Sequence, residues 1–424
     1  MTYINAVKYI SAHADVLPSP ERMRLLCRYL GDPQRQIKFV HIAGSSEKES
    51  CSHILSSILS EAGYKVGSLT GIFVSEPREL ISVDCSPVSY SCFAKYIGTV
   101  AATAEKMIND IQNVAADQST EVSDVSPQHK ITKNLLDGKI SPAPSASEII
   151  CAASFLAFLE EGCDIAILEC GESRADPTGI IDSPLVSVIC GSSFTEEQLR
   201  TSTGIIRRGT REVVTSAPAG EAYSAILASC VRAGSRLTVP AKAELNITSL
   251  SLTSQTFEYR GKTYTIPTSS EYQLTNSLVA IEAIYALRRT GVPLRGEDVA
   301  RGISSVRVPL KFEFFSVKPT IIFDCPRSEN DILAFLHSLK KVKSLIGHKL
   351  TFVASSPEEY PIKNAFLEMG FDIKNVFYPS LPNEVKTLAK SALAMSPDET
   401  MVVLGSVPFV GSVKYQIHKT MAIY

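Results

Sequence analysis

The stretch that decides the fold is "IKFVHIAGSSEKESCSHILSSILSEAG", Ile37 to Gly63. Its opening "IKFVHIAG" is a short, apolar, β-branched run closed by Gly44, the pattern of a buried strand that ends in a tight turn. From Cys51 the apolar residues Ile54, Leu55, Ile58, Leu59 and Ala62 recur at helical spacing, and Gly63 stands where a helix C-cap belongs. "YKVGSLT", which follows directly, reads as a second strand. Strand, loop, helix, strand is the βαβ unit of a parallel sheet, so an α/β fold is expected.

The same rhythm continues outward. Ser145 with Glu148 three residues on is a capping box that opens the helix "EIICAASFLAFLEE", and "CDIAILEC" and "PLVSVICG" read as further buried strands. Between Leu237 and Pro267 the pattern switches to alternation around an Arg260-Gly261 turn, which predicts a hairpin or β-meander, followed by the helix "SLVAIEAIYALRRTG". After Glu297 strands and helices alternate again through "TIIFDC", "KLTFVASS" and "MVVLGS", as in a smaller Rossmann-like unit. A chain of 424 residues exceeds what one core usually supports, and two domains are expected, residues 1–296 and 297–424. Asn113 to Ser147 is polar with several prolines and reads as a long connection, an insertion in preference to a partner site.

Lys and Arg total 42 against 44 Asp and Glu, a formal net charge of -2 with no long run of one sign, which argues against a nucleic-acid or membrane-surface partner. The ten cysteines are scattered, never fall in a CxxC pair, and read as small core residues of a reducing compartment. "MTYINAVKYISAHADV" reads as a short amphipathic helix, and no apolar run approaches the length of a membrane span. A soluble cytoplasmic protein is the expectation.

The turn after the first strand sits where a phosphate-binding loop would. Such a loop aims backbone N–H groups and a helix N-terminus at phosphate oxygens, with a Lys to neutralise charge and a Ser or Thr hydroxyl for Mg²⁺. Gly44, Lys48 and Ser50 supply three of those parts, whereas Glu47 and Glu49 stand where glycines are wanted. A Glu forced into the left-handed conformation costs about 1 to 2 kcal/mol. A carboxylate facing a phosphate at about 4 Å costs about 4 kcal/mol at an effective dielectric of 20. The turn therefore reads as an ordinary strand-to-helix connection with charged side chains. His41, beside it, reads as a packed strand residue.

Several segments, taken in order, resemble one known family: the entry "SPERMRLLCRYLGDPQRQIKFVHIAG", then "ELISVDCSPVS", "DIAILECGESRADPTGIIDSPLVSVI", "FEYRGKTYTIP", "YQLTNSLVAIEAIYALRRTGVPL", "VRVPLKFEFF" and "MVVLGSVPFVGSV". The chain resembles folylpolyglutamate synthase and dihydrofolate synthase, members of the Mur ligase superfamily, over essentially its whole length. The resemblance implies a P-loop-type ATPase domain built on a parallel sheet, followed by a smaller Rossmann-like C-terminal domain. It also implies a reaction in which ATP phosphorylates a carboxylate and the amino group of glutamate attacks the acyl phosphate, with Mg²⁺ and cationic side chains bringing two anions together.

Carried over residue by residue, the family's machinery is largely replaced. Of its loop A-G-T-N-G-K-G-S, Ala43, Gly44, Lys48 and Ser50 match. The S-P-H segment falls on Gly71, Ile72 and Phe73, and the Arg of E-R-I on Leu80. Glu169 keeps the metal-binding carboxylate, and Ser50 the loop hydroxyl, while "GESRADPTG" shortens the stretch that follows. An Asp-His pair falls on Thr195 and Glu196, the superfamily's carbamylated lysine on Ser202, and the His of H-Q-x-x-N on Tyr272, with Gln273 and Asn276 retained. Lys311 before Glu313 replaces a phosphate-contacting Arg and cannot supply its fork. D-G-A-H-N-P becomes "DCPRSE", keeping Asp324 and placing Arg327 at the histidine. Gly44, Lys48, Ser50, Asn276, Lys311 and Asp324 are thus vestigial nucleotide contacts, with Glu169 and Ser50 the remnants of a metal site.

Three readings stay open. The chain is a non-catalytic relative that binds a partner, such as an active ligase paralogue, or a folate-like or peptidyl ligand, and needs no cofactor. Alternatively it is an active carboxylate-amine ligase with a rebuilt site for Mg-ATP. In the third reading Glu47, Glu49 and Glu169 gather into a cation site.

Overall fold

The computed structural model describes residues 1–116, 133–171, 173, 175–356 and 362–421. Residues 117–132 of the polar connection, and Glu172 and Arg174 of the shortened stretch, lie outside the described residues.

An eight-stranded sheet carries the larger part of the chain. Its strands are β1 (Lys38–Gly44), β2 (Val66–Leu69), β3 (Ile81–Val83), β4 (Ser86–Pro87), β5 (Ile165–Glu169), β6 (Val186–Cys190), β7 (Glu212–Thr215) and β8 (Arg236–Thr238), in the order β4-β3-β2-β5-β1-β6-β7-β8. All neighbours run parallel except β2 with β3 and β3 with β4, so the parallel sheet expected from the sequence carries an antiparallel hairpin at one edge. β1 lies at the centre, between β5 and β6, and every residue of it but Lys38 is buried, as the unbroken apolar run requires.

Helices cover both faces. On one, Ile54, Leu55 and Ile58 of the helix Glu47–Glu61 pack with Leu278, Ile281 and Ile284 of the helix Glu271–Arg289. On the other, Phe155 and Phe158 of the helix Ala146–Glu160 pack with Phe93, Ile97 and Val100 of the helix Tyr90–Ala116. That last helix runs past Asn113, so the polar connection begins later than expected, and Lys133–Leu136 forms one further helical turn.

The predicted meander is a three-stranded antiparallel sheet of β9 (Asn246–Leu250), β10 (Gln255–Tyr259) and β11 (Lys262–Ile266). Arg260 and Gly261 turn at φ 50° and 68°, as a two-residue hairpin of the mirror-image type demands. Leu237 and Thr238 fall instead in β8.

A second, five-stranded sheet follows, with β12 (Glu313–Val317), β13 (Thr320–Asp324), β14 (Lys349–Ala354), β15 (Asp372–Phe377) and β16 (Glu399–Leu404) in the order β12-β13-β16-β14-β15. Separate apolar clusters line its two faces. We propose the domains as 1–296 and 297–424, the second opening with a crossing segment. The helix Gly296–Ser305 in that segment buries Val299 and Ile303 in the core of the large sheet, before β12 begins the small one. The chain is thus an α/β protein with a large, mostly parallel sheet followed by a smaller one. No helix among the described residues is long and apolar enough to cross a membrane, and ten free cysteines are present.

Candidate active site at the phosphate-type loop

β1 ends at Gly44, whose φ of 129° and close approach to β6 leave room for no side chain: an added Cβ would sit 1.8 Å from the Cys190 carbonyl oxygen. The next amide, Ser45 N–H, donates to that same carbonyl at 2.9 Å. The helix then starts at Glu47, a turn earlier than the apolar spacing from Cys51 indicates. Glu47 and Glu49 therefore lie in its first turn, where carboxylates interact favourably with the helix dipole. Among the described residues, the non-glycine residues with positive φ are Asp32, Asp84, Cys85, Arg260, Leu310 and Phe312, none of them in the loop. The left-handed strain expected of the two glutamates does not arise, because helical backbone suits them.

Their charges are answered as well. Glu47 folds back over the turn: its Oε2 accepts from the Ser45 hydroxyl, and its Oε1 from Ser192 N–H at 3.0 Å and the Ser192 hydroxyl at 2.9 Å. Glu49 points the other way, to the Arg327 guanidinium, with Lys311 Nζ at 3.9 Å. Ser46 donates to Asp331 at 2.8 Å and Asn330 to Ser193 at 3.2 Å. The loop and helix start that follow β13 are thus pinned onto the chain that follows β1 and the turn that follows β6. The expected gathering of Glu47, Glu49 and Glu169 does not form, since Glu47 turns to Ser192, and no group of three metal-ligating side chains occurs among the described residues.

Glu169 ends β5 beside β1 and is 4% exposed. One carboxylate oxygen accepts from Gly71 N–H at 3.1 Å, while the other is buried without a partner among the described residues. Burial, then the neighbouring Glu49 charge, pushes its carboxyl up to about 7, against the pull of Lys48. Such a group holds its proton in the folded chain and loses it near pH 4.5 when unfolded. Its contribution to stability is complete below that value and falls as pH rises to about 7, by on the order of 3 kcal/mol. Glu169→Gln is expected to flatten this part of the stability profile in urea denaturation from pH 4.5 to 8. The slope from Asp324, pushed up to about 6 by burial, should remain.

The retained hydroxyl, Ser50, accepts from Gln273 Nε2 at 3.0 Å, and Gln273 in turn accepts from Asn276 at 3.2 Å. Asp324 accepts from the Tyr272 hydroxyl at 2.8 Å and from Phe312 N–H at 3.0 Å. Lys311 Nζ donates to the Cys325 carbonyl at 3.3 Å. Ser50, Asn276, Lys311 and Asp324 line one cavity of about 300 Å³, together with Ser46 and Glu47. Lys48, 4% exposed, lies outside that lining. A second cavity of about 420 Å³ is lined by Glu49, His53, Glu169, Leu310, Lys311 and Tyr415, so Lys311 borders both.

The remaining positions lie outside both cavities or carry local contacts of their own. Thr195 caps the helix Glu196–Gly204, and Glu196 pairs with Arg200 within it. Ser202 is buried and its hydroxyl has no partner among the described residues. Leu80 is buried and Phe73 is 40% exposed. His41 is fully buried, its Nε2 2.9 Å from the Thr178 hydroxyl, and burial holds its pKa down at about 3. What the residue-by-residue reading missed is the Glu49–Arg327 pair, 278 residues apart in sequence. The signal was present: an acid replaces a loop glycine and a base replaces a histidine, two changes of opposite charge.

No family model matches the sequence. The chain is 24% identical to a folylpolyglutamate synthase of Lacticaseibacillus casei over 98% of both chains. It is 24% identical to a dihydrofolate synthase/folylpolyglutamate synthase of Mycobacterium tuberculosis, over 76% of this chain and 66% of that one. Among solved structures, the apo form of the L. casei enzyme superposes with a TM-score of 0.78 at 22% identity, over 99% of this chain and 100% of that one. The folylpolyglutamate synthase of Thermotoga maritima superposes at 0.74 and 23% identity, over 99% and 97%. Sequence likeness along the whole length and the superposition of both sheets agree: the chain is similar from end to end to folylpolyglutamate synthases and dihydrofolate synthases, and it shares the fold of the solved folylpolyglutamate synthases.

Proposed function

We propose that this chain has lost ATP-dependent ligation and acts by binding, within folate metabolism. The observation that carries the reading is the Glu47 carboxylate. It lies over the turn that a phosphate would occupy and takes the Ser45 and Ser192 donors for itself. A nucleotide triphosphate arriving there meets a negative charge already satisfied by the loop.

The magnesium ion that the family's chemistry requires does not fit the residues present. The orphaned oxygen of Glu169 favours a cation, but burial and the Glu49 charge raise the Glu169 carboxyl well above the usual carboxylate range, Glu49 is engaged by Arg327, and Gln273 donates to the Ser50 hydroxyl. No step through magnesium is derived. We place a small folate-like or peptidyl ligand in the cavity of about 420 Å³, and a partner protein, such as an active paralogue, on the outer surface.

The second reading, an active carboxylate-amine ligase with a rebuilt site, is favoured by one feature: Lys48 and Glu169 are both kept and both buried. Phosphate release from Mg-ATP in the presence of folate substrates and glutamate separates the two. The binding reading expects no turnover above buffer. Turnover that requires glutamate and disappears in Lys48→Ala would establish the ligase.

A further inference from the structure

The strands of the large sheet carry the phosphate-type loop at their C-terminal ends. At the opposite end, where β7 and β8 begin, the last turns of the helix Glu271–Arg289 meet the edge strand β8 and the β10–β11 turn. The helix spans 19 residues, which separates this corner from the loop by roughly 25 Å. Four arginines converge on the corner around an open depression of about 530 Å³: Arg236, Arg260, Arg288 and Arg289.

Two carboxylates hold two of them. Glu282, nearly fully buried, accepts from Arg260 Nε and from the Tyr259 hydroxyl, both at 2.6 Å. Glu212 takes Arg289 in a two-point pair at 2.9 and 2.7 Å. Arg236 and Arg288 have no ion-pair partner among the described residues, which leaves an excess of two positive charges. The Arg288 guanidinium lies 5.4 Å from the centre of the Tyr285 ring and that of Arg260 5.7 Å from the same ring, so one aromatic side chain orients both forks. The buried Nε–H of Arg288 has no acceptor among the described residues. A chain with a formal net charge of -2 thus concentrates guanidinium groups at one concave spot, positioned by buried acids and a ring rather than spread over a solvated face.

We propose that this depression binds a compact, multiply charged oxyanion, a phosphate or pyrophosphate group or a cluster of carboxylates. Planar forks whose orientation is set in advance suit two-point contacts to such oxygens, and charge-assisted bonds of that kind are the strong ones. The site is separate from the loop and does not rest on whether the loop takes a nucleotide.

Isothermal titration of the full chain with pyrophosphate, and separately with citrate, tests it. A single saturable event is expected for at least one anion. It should weaken at least tenfold in Arg236→Ala/Arg288→Ala, stay unchanged in Lys48→Ala, and fall with added salt. Circular dichroism of the double variant checks that it folds, and Arg236→Glu, at an exposed position, gives the same loss by charge reversal. Pyrophosphate alone binding assigns the phosphate class, and citrate binding as tightly assigns clustered carboxylates. Absence of saturable binding at millimolar anion, or binding lost in Lys48→Ala and kept in the arginine variants, overturns the proposal.

Discussion

Arg22→Ala is expected to destabilise the protein by about 3 to 5 kcal/mol, the cost of leaving a buried carboxylate without its counter-charge. Arg22 and Glu148 are 1% and 0% exposed, with Arg22 Nη2 2.5 Å and Nε 2.9 Å from the same carboxylate oxygen. The pair does more than neutralise itself. Arg22 also donates to the carbonyls of Ser141 and Leu17, at 2.8 and 2.6 Å. Glu148 accepts from the amides of Ser19 and Ser145, at 3.0 and 2.7 Å. Two helix starts and the end of the polar connection therefore depend on one ion pair. A plain buried pair often tolerates replacement by apolar residues of similar volume, but here four backbone groups would lose their partners. Arg22→Met/Glu148→Leu should consequently remain well below the natural chain in urea midpoint. A loss under 1 kcal/mol in Arg22→Ala would show that solvent reaches the pair.

Gly44→Ala is expected to cost about 3 to 5 kcal/mol, from overpacking and from positive-φ strain together. The added Cβ meets backbone, the Cys190 oxygen at 1.8 Å and its carbon at 2.7 Å, and backbone of a central strand cannot swing aside as a side chain does. Relief requires β1 and β6 to part at the Gly44–Cys190 step of their register, which also breaks the Ser45 amide contact to Cys190. Scanning calorimetry should register a large fall in Tm, and a shift within about 2 °C would mean that the strand ends are free to separate.

How far the sequence reveals this architecture depends on the range of each interaction. "IKFVHIAG" announces a central strand because burial on both faces demands an unbroken apolar run, and the Ser145–Glu148 box announces its helix because cap and partner are three residues apart. The second partner of Glu148, Arg22, lies 126 residues upstream and leaves no local trace. The helix start at Glu47 was hidden because charged first-turn residues do not belong to the apolar stripe that marks a helix from Cys51 onward. β3 and β4, of three and two residues, are too short to show a period, so the antiparallel edge went unseen. At the site the retained residues Gly44, Ser50, Asn276 and Asp324, and Lys311 in place of an Arg, are legible by position. The meaning of the replacements is not, because whether Glu47 obstructs a loop or completes it depends on Ser192, 145 residues away.

The central claim, that the glutamates have taken the place of a nucleotide, is tested most directly by isothermal titration of Mg-ATP into the natural chain and into Glu47→Gly/Glu49→Gly. The account predicts no binding by the natural chain up to millimolar nucleotide and measurable binding by the double variant, whose loop regains two glycines and sheds two negative charges. Micromolar binding by the natural chain would contradict it.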